Sequence, residues 1–148
     1  MLRLFFVLLI PVMIFSDDIN IIQTFADLAI TSAVAGQEPD RDTQSGYAYQ
    51  ITFVDQPPTD NRVIRASIAE NLPQGAIIRI ALEPPGTGTS NGIVTITTTP
   101  TQVNLVTGIV PGDIITNTNF NMTVEVQCTT EVSPQVFSET LTLEIVVP

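Results

Sequence analysis

The chain has 148 residues, of which 44% are hydrophobic, and it carries a net charge of −10 at pH 7. This length and apolar content predict one globular domain with its own core, and the acidic surface argues against binding to nucleic acid or to anionic lipid. Because the sequence contains no histidine and a single cysteine, Cys128, it excludes a Ser–His–Asp site, a Cys–His site and a zinc site built from histidines or thiolates.

Residues 1–16 have the layout of a secretory signal peptide. A positive start at Arg3 is followed by an apolar run, Leu4–Phe15, that ends at Ser16. The run is too short to span a bilayer, which needs about 20 residues. The sequence therefore predicts cleavage after Ser16 and a protein secreted to the cell surface or beyond, with no stable membrane insertion. The alternative is an uncleaved helix retained for assembly, as in type IV pilin-like subunits.

Residues 17–35 form an apolar segment with two competing interpretations. One of its two alternating sets of residues holds Leu28 and Ile30, which predicts a strand over Thr24–Val34, whereas aspartates at its start favour a helix over Asp18–Leu28. A spare strand can pair with the sheet edge of a neighbouring molecule. The segment is therefore a candidate exchanged strand, and its candidate interface residues are Ile21, Phe25, Leu28 and Ile30.

Gly36–Ser45 is polar and predicts a loop, in which Asp40 and Asp42 are the candidate calcium ligands. Calcium needs several oxygen ligands, which the loops at the end of a β-sandwich can supply. The segment lacks the glycine and distal glutamate of a calcium-binding loop, so solvated loop charge is the competing interpretation. No other cofactor is predicted.

The middle of the chain predicts short strands separated by turns. In Gly46–Val54, Tyr47 and Tyr49 share a face with apolar residues, which favours the core over an exposed sugar-binding platform. Further strands are predicted at residues 62–69, 76–83, 92–99 and 101–107. Residues 84–92 predict a flexible loop.

The clearest alternation lies near the end of the sequence. Apolar residues occupy every second position in Phe120–Cys128, and the pattern resumes in Phe137–Val147. We expect these two runs to be antiparallel neighbours, each with one buried and one exposed face. Cys128 falls in the buried set, as a small hydrophobic residue.

Seven or eight short strands with frequent turns predict an all-β fold. Within this class we predict a single Greek-key, immunoglobulin-like β-sandwich over residues 36–148, after the signal peptide and the apolar segment. A closed barrel of eight strands is the alternative.

Three stretches resemble the core of small secreted β-sandwich proteins of bacterial surfaces, some of which are pilin-like or adhesin-like. They are Leu72-Pro73-Gln74-Gly75, Gly92–Thr98 and Val106–Ile109. The resemblance covers about Ile64–Val126. It implies a sandwich fold and a location at the cell surface.

These observations predict a non-enzymatic structural protein, a subunit of an extracellular filament or surface layer that assembles with copies of itself through strand edges. The alternative is a secreted module that binds glycan or calcium. An enzyme would need a pair of carboxylates of the glycosidase kind. The acidic residues instead fall mostly in turns or on the expected exposed faces of strands.

Overall fold

The computed structural model describes residues 17–22, 41–53, 60–72, 75–97, 101–111, 118–128 and 140–148. These residues form nine strands and no α-helix. In chain order the strands are β1 (Asp18–Ile21), β2 (Arg41–Thr52), β3 (Arg62–Ile68), β4 (Ala76–Leu82), β5 (Thr89–Ser90), β6 (Val94–Ile96), β7 (Val103–Ile109), β8 (Phe120–Cys128) and β9 (Leu141–Val146). The predicted signal peptide and the predicted strand Thr24–Val34 lie outside the described residues.

The strands form two antiparallel sheets, which confirms the all-β prediction. The five-stranded sheet has the order β1-β2-β8-β4-β6, and the four-stranded sheet has the order β5-β7-β3-β9. Both sheets contribute to one core, which includes Tyr49 and Ile80 from the first sheet and Ile64, Leu105 and Ile145 from the second. Within the described residues the two sheets share no backbone pairing.

Alternation identified the buried faces of several strands correctly. Ile64, Ala66 and Ile68 of β3 are all buried, and β8 buries Met122 and Val124 in the same way. On β2, Tyr47 and Tyr49 are 7% and 0% exposed and belong to the core, so they do not form a sugar-binding platform. Period-two patterns succeed here because each strand has one face against the core.

The expected pairing of the last two strands is wrong. β8 lies in the middle of the five-stranded sheet between β2 and β4, whereas β9 lies in the other sheet beside β3. Alternation marks which face of a strand is buried, but it carries no information about which strand is its neighbour. The chain therefore changes sheets between β8 and β9.

The predicted loop Gly36–Ser45 is also wrong over its last five positions, because β2 begins at Arg41. A β-bulge places Ser45 and Gly46 opposite the single residue Thr123, and Gly46 has φ 87°, which favours glycine. Residues 41–45 are all polar or charged, so the first part of the strand has no apolar signature. The strand β5, which was not predicted, has only two residues, and it falls in the predicted flexible loop at residues 84–92.

Candidate interaction site

β1 and β9 are edge strands of different sheets that lie beside each other, and we call this region the β1–β9 seam. A cleft of about 350 Å³ separates the two strands. One wall is Asp17, Asp18 and Ile19, and the other is Leu143–Val146. In the described residues β1 pairs with β2 alone and β9 pairs with β3 alone.

Some apolar side chains at the edge of the core are partly exposed in the seam. Ile19, Ile21, Leu141 and Leu143 pack against the core cluster but are only half-buried. In β1 these isoleucines alternate with the exposed residues Asp18 and Asn20. The apolar side of the seam is thus incompletely covered, and burying it further would be favourable.

A buried arginine ties the start of β1 to the other sheet. Arg62, at the first position of β3, is 6% exposed, and its Nε donates to the Asp17 carboxylate. Its Nη1 donates to the carbonyl of Asp60 at 2.8 Å. Because a guanidinium stays charged in proteins, its burial requires a compensating acid. Asp17 supplies that charge from the residue immediately before β1.

The opposite side of the two sheets has shorter edge strands. The edge strands there are β6, with three residues, and β5, with two. Very short edge strands are one way in which proteins avoid unwanted strand pairing. The longer edge strands β1 and β9 both lie at the seam.

A second polar cluster lies on the outer face of the five-stranded sheet. Arg79 of β4 donates from Nη1 to Glu125 Oε1 and to Gln127 Oε1 of β8, at 2.5 Å in each case. The sequence pattern places Gln127 on the exposed face, but it is 6% exposed. The cluster links neighbouring strands, and the small hollow beside it, of about 110 Å³, is well below the usual size of a ligand site.

Tyr49 is the one described residue with a strongly shifted pKa. Burial raises the pKa of its phenol, and the charge of Glu83 raises it further. The hydroxyl donates to the carbonyl of Glu83 at 2.5 Å, and the ring packs against Phe120 with centroids 5.5 Å apart. A neutral phenol that donates to a backbone carbonyl joins β2 to the end of β4, which is a structural role.

The structure places two of the six candidate site residues. Ile21 lies in β1 opposite Tyr49, and Asp42 lies half-buried in β2 opposite Val126. The other four, Phe25, Leu28, Ile30 and Asp40, lie outside the described residues. Among residues that the structure describes, no three His, Cys, Asp or Glu side chains group closely enough to hold a metal ion. The interface and calcium assignments stay predictions.

Sequence reasoning missed Arg62, since an arginine at the start of a strand gives no signal of burial.

Comparison of the chain with known protein families, with curated proteins and with solved structures finds no match. In the described part of the chain no helix has the length and apolar character needed to cross a membrane.

Proposed function

We propose that this chain is a non-enzymatic, secreted structural protein, a subunit of an extracellular filament or surface layer that assembles with copies of itself through strand edges. In this proposal residues 1–16 are a signal peptide, and the two sheets form a Greek-key, immunoglobulin-like sandwich. The observation that carries the proposal is the β1–β9 seam, where one edge strand of each sheet lies beside the other over half-buried apolar side chains.

Strand edges present backbone donors and acceptors that a neighbouring strand can satisfy. β9 has six residues and a single charged side chain, Glu144, which also accepts a hydrogen bond from Gln102 at 3.1 Å. Natural edge strands usually carry lysine, proline or a bulge that prevents such pairing. β9 contains none of these, so its edge supports association with another strand.

The segment that follows β1 supplies further contacts in this proposal. Ile21 is half-buried in the seam, and Phe25, Leu28 and Ile30 are the apolar residues that would pack on a neighbouring subunit. Their burial at an interface would add a favourable hydrophobic contribution.

The first test is the state of the exported wild-type protein. We expect a secreting host to release assemblies larger than a monomer, visible by electron microscopy and by light scattering, with the first residue determined by mass spectrometry. A protein that stays monomeric at high concentration would contradict the proposal.

The edge itself is tested by a matched pair of substitutions. Thr142 of β9 and Thr95 of β6 are both exposed threonines on edge strands of opposite sides. Thr142→Lys should reduce assembly strongly, because lysine on an edge strand disfavours pairing. Thr95→Lys should leave assembly unchanged. Circular dichroism checks that both variants fold, and equal effects would exclude the seam as the contact.

A further inference from the structure

We propose that the edge of β2 beside Arg62 is an acceptor site for the β1 strand of a second copy of this chain, and that Arg62 determines the register in which this strand binds. The inference rests on the proposed function and deepens it by naming the donor strand, the acceptor edge and the specificity residue.

The acceptor edge is defined by the contacts that β1 makes within its own chain. Asp18–Ile21 pairs with Tyr49–Thr52, and the backbone N–H of Ile22 continues the ladder to the carbonyl of Ala48 at 2.9 Å. Ile19 lies opposite Ile51, and Ile21 lies opposite Tyr49. A strand that binds here thus needs apolar residues at two alternate positions.

Arg62 adds a third requirement at the start of the strand. Asp17, Ile19 and Ile21 are the partly buried residues of one alternating set, whereas Asp18, Asn20 and Ile22 are exposed. The acceptor edge therefore selects a carboxylate followed by apolar residues two and four positions later. Asp17-Asp18-Ile19-Asn20-Ile21 satisfies this pattern in one register.

Other registers are unfavourable for identifiable reasons. A shift of one residue would bring Asp18 to Arg62, but it would turn Ile19 and Ile21 to the exposed face. A shift of two residues would bring Ile19 to the guanidinium and leave its charge buried without an acid. The arginine thus penalises the two-residue shift, whereas exposure of Ile19 and Ile21 penalises the one-residue shift.

The identity of the donor follows from the connection between β1 and β2. Residues 23–40 separate the two strands, and at about 3.3 Å per residue this length of chain can reach about 60 Å. A five-stranded sheet is four strand spacings wide, or only about 19 Å, so the connection is longer than the width of the whole sheet. A neighbouring copy can therefore place its β1 on the same edge with the same contacts, and exchange of an identical element is a low-cost route to association.

Disulfide trapping between chains tests the exchange. Asn20 and Gln50 lie opposite each other in the β1–β2 ladder. We would make Asn20→Cys and Gln50→Cys separately, each in the full chain with Cys128→Ala, and produce both chains together in a secreting host. Mild oxidation should link the two different chains far more than either chain produced alone. The double variant in one chain controls for the geometry of the pair.

The adjacent residues Asp17 and Asp18 provide a matched pair of substitutions that tests the role of Arg62. Asp17→Asn should lower the interchain disulfide yield about tenfold, because an amide does not compensate a buried guanidinium charge. Asp18→Asn makes the same charge change at the neighbouring exposed residue and should leave the yield unchanged. Equal loss in both variants would overturn the role of Arg62 in setting the register.

The possible outcomes separate this inference from the proposed function. If the wild type assembles but the cysteines link only within one chain, exchange of β1 is excluded and assembly through another edge stands. If the wild type is monomeric, the proposed function fails, and the inference fails with it.

Discussion

The β1–β9 seam and the centre of the five-stranded sheet each contain an arginine–carboxylate pair, in very different surroundings. At the seam, the side chains of Arg62 and Asp17 are 7% and 11% exposed, and they join the two sheets. At the centre, the side chains of Arg79 and Glu125 are 24% and 16% exposed, and they join residues that are already opposite each other in the β4–β8 ladder.

The difference lies in what else holds each partner in place. β8 has a backbone ladder on both sides, to β2 and to β4, so Glu125 would keep its position without the ion pair. β1 has one short ladder, and Asp17 lies just before it. The arginine–carboxylate ion pair therefore only supplements the backbone ladders at the centre, whereas at the seam it is needed to hold Asp17 in place.

The largest effect should come from Asp17→Ala. It leaves the buried Arg62 charge with the Asp60 carbonyl but without its acid, and losing one partner of a buried pair costs about 3 kcal/mol of unfolding free energy. Asp18→Ala is the control and should cost much less. Chemical denaturation of both variants measures the difference, and equal costs would contradict the distinction between the two regions.

A double substitution then separates the buried charge from the lost contact. Asp17→Ala with Arg62→Met removes both charges, so it should recover about 1–2 kcal/mol relative to Asp17→Ala alone. Unfolding free energies of the two single variants and the double variant complete the cycle. Additive effects would show that the pair is not coupled.

Tyr49→Phe probes the β2 strand that both regions share. The loss of the hydrogen bond to Glu83 should cost about 1 kcal/mol. Because the folded-state pKa of Tyr49 is raised above its ordinary value of about 10, the wild type favours the protonated phenol. Its extra stability is fully present below about pH 10 and is lost as the pH rises above that value.

A pH series of unfolding measurements checks this sign. The difference in unfolding free energy between the wild type and Tyr49→Phe should shrink above about pH 10. A difference that grows with rising pH would contradict the burial of a neutral phenol.

At the centre, Glu125→Gln should have a smaller effect, about 0.5 kcal/mol, as for partly exposed ion pairs. The neutral amide can still accept from Arg79, and the β4–β8 ladder remains. Thermal unfolding at low and high salt measures the loss, which should decrease with salt. A cost as large as that of Asp17→Ala would remove the contrast between the two regions.

The smallest expected effect is that of calcium. If the acids at the seam and Asp42 act only as charges, Tm should be the same with millimolar calcium and with EDTA. A ligand that binds the native state would raise Tm. A rise that Asp42→Asn abolishes would favour the calcium-binding alternative.

Sequence patterns predicted the parts of the fold in which a strand meets the core on one face. The buried set of β4 follows directly from alternation, as do Ile64, Ala66 and Ile68 of β3 and Met122 and Val124 of β8. The partner of β9, the extension of β2 to Arg41 and the two-residue β5 depend on contacts with distant residues, so no local pattern revealed them. Arg62 and Gln127 were missed for a related reason, since their burial depends on partners distant in sequence: Arg62 donates to Asp17, and Gln127 accepts from Arg79 of β4.

The central position of β8 has a consequence for the order of folding. Among the described strands of the five-stranded sheet, the backbone pairing that connects β2 to β4 goes through β8, which is not complete until Cys128. Earlier in synthesis the β1–β2 and β4–β6 pairs share no ladder, and two-stranded units have little stability alone. The sheet therefore closes late, by contacts between residues far apart in sequence, which makes folding slow compared with that of proteins rich in local contacts.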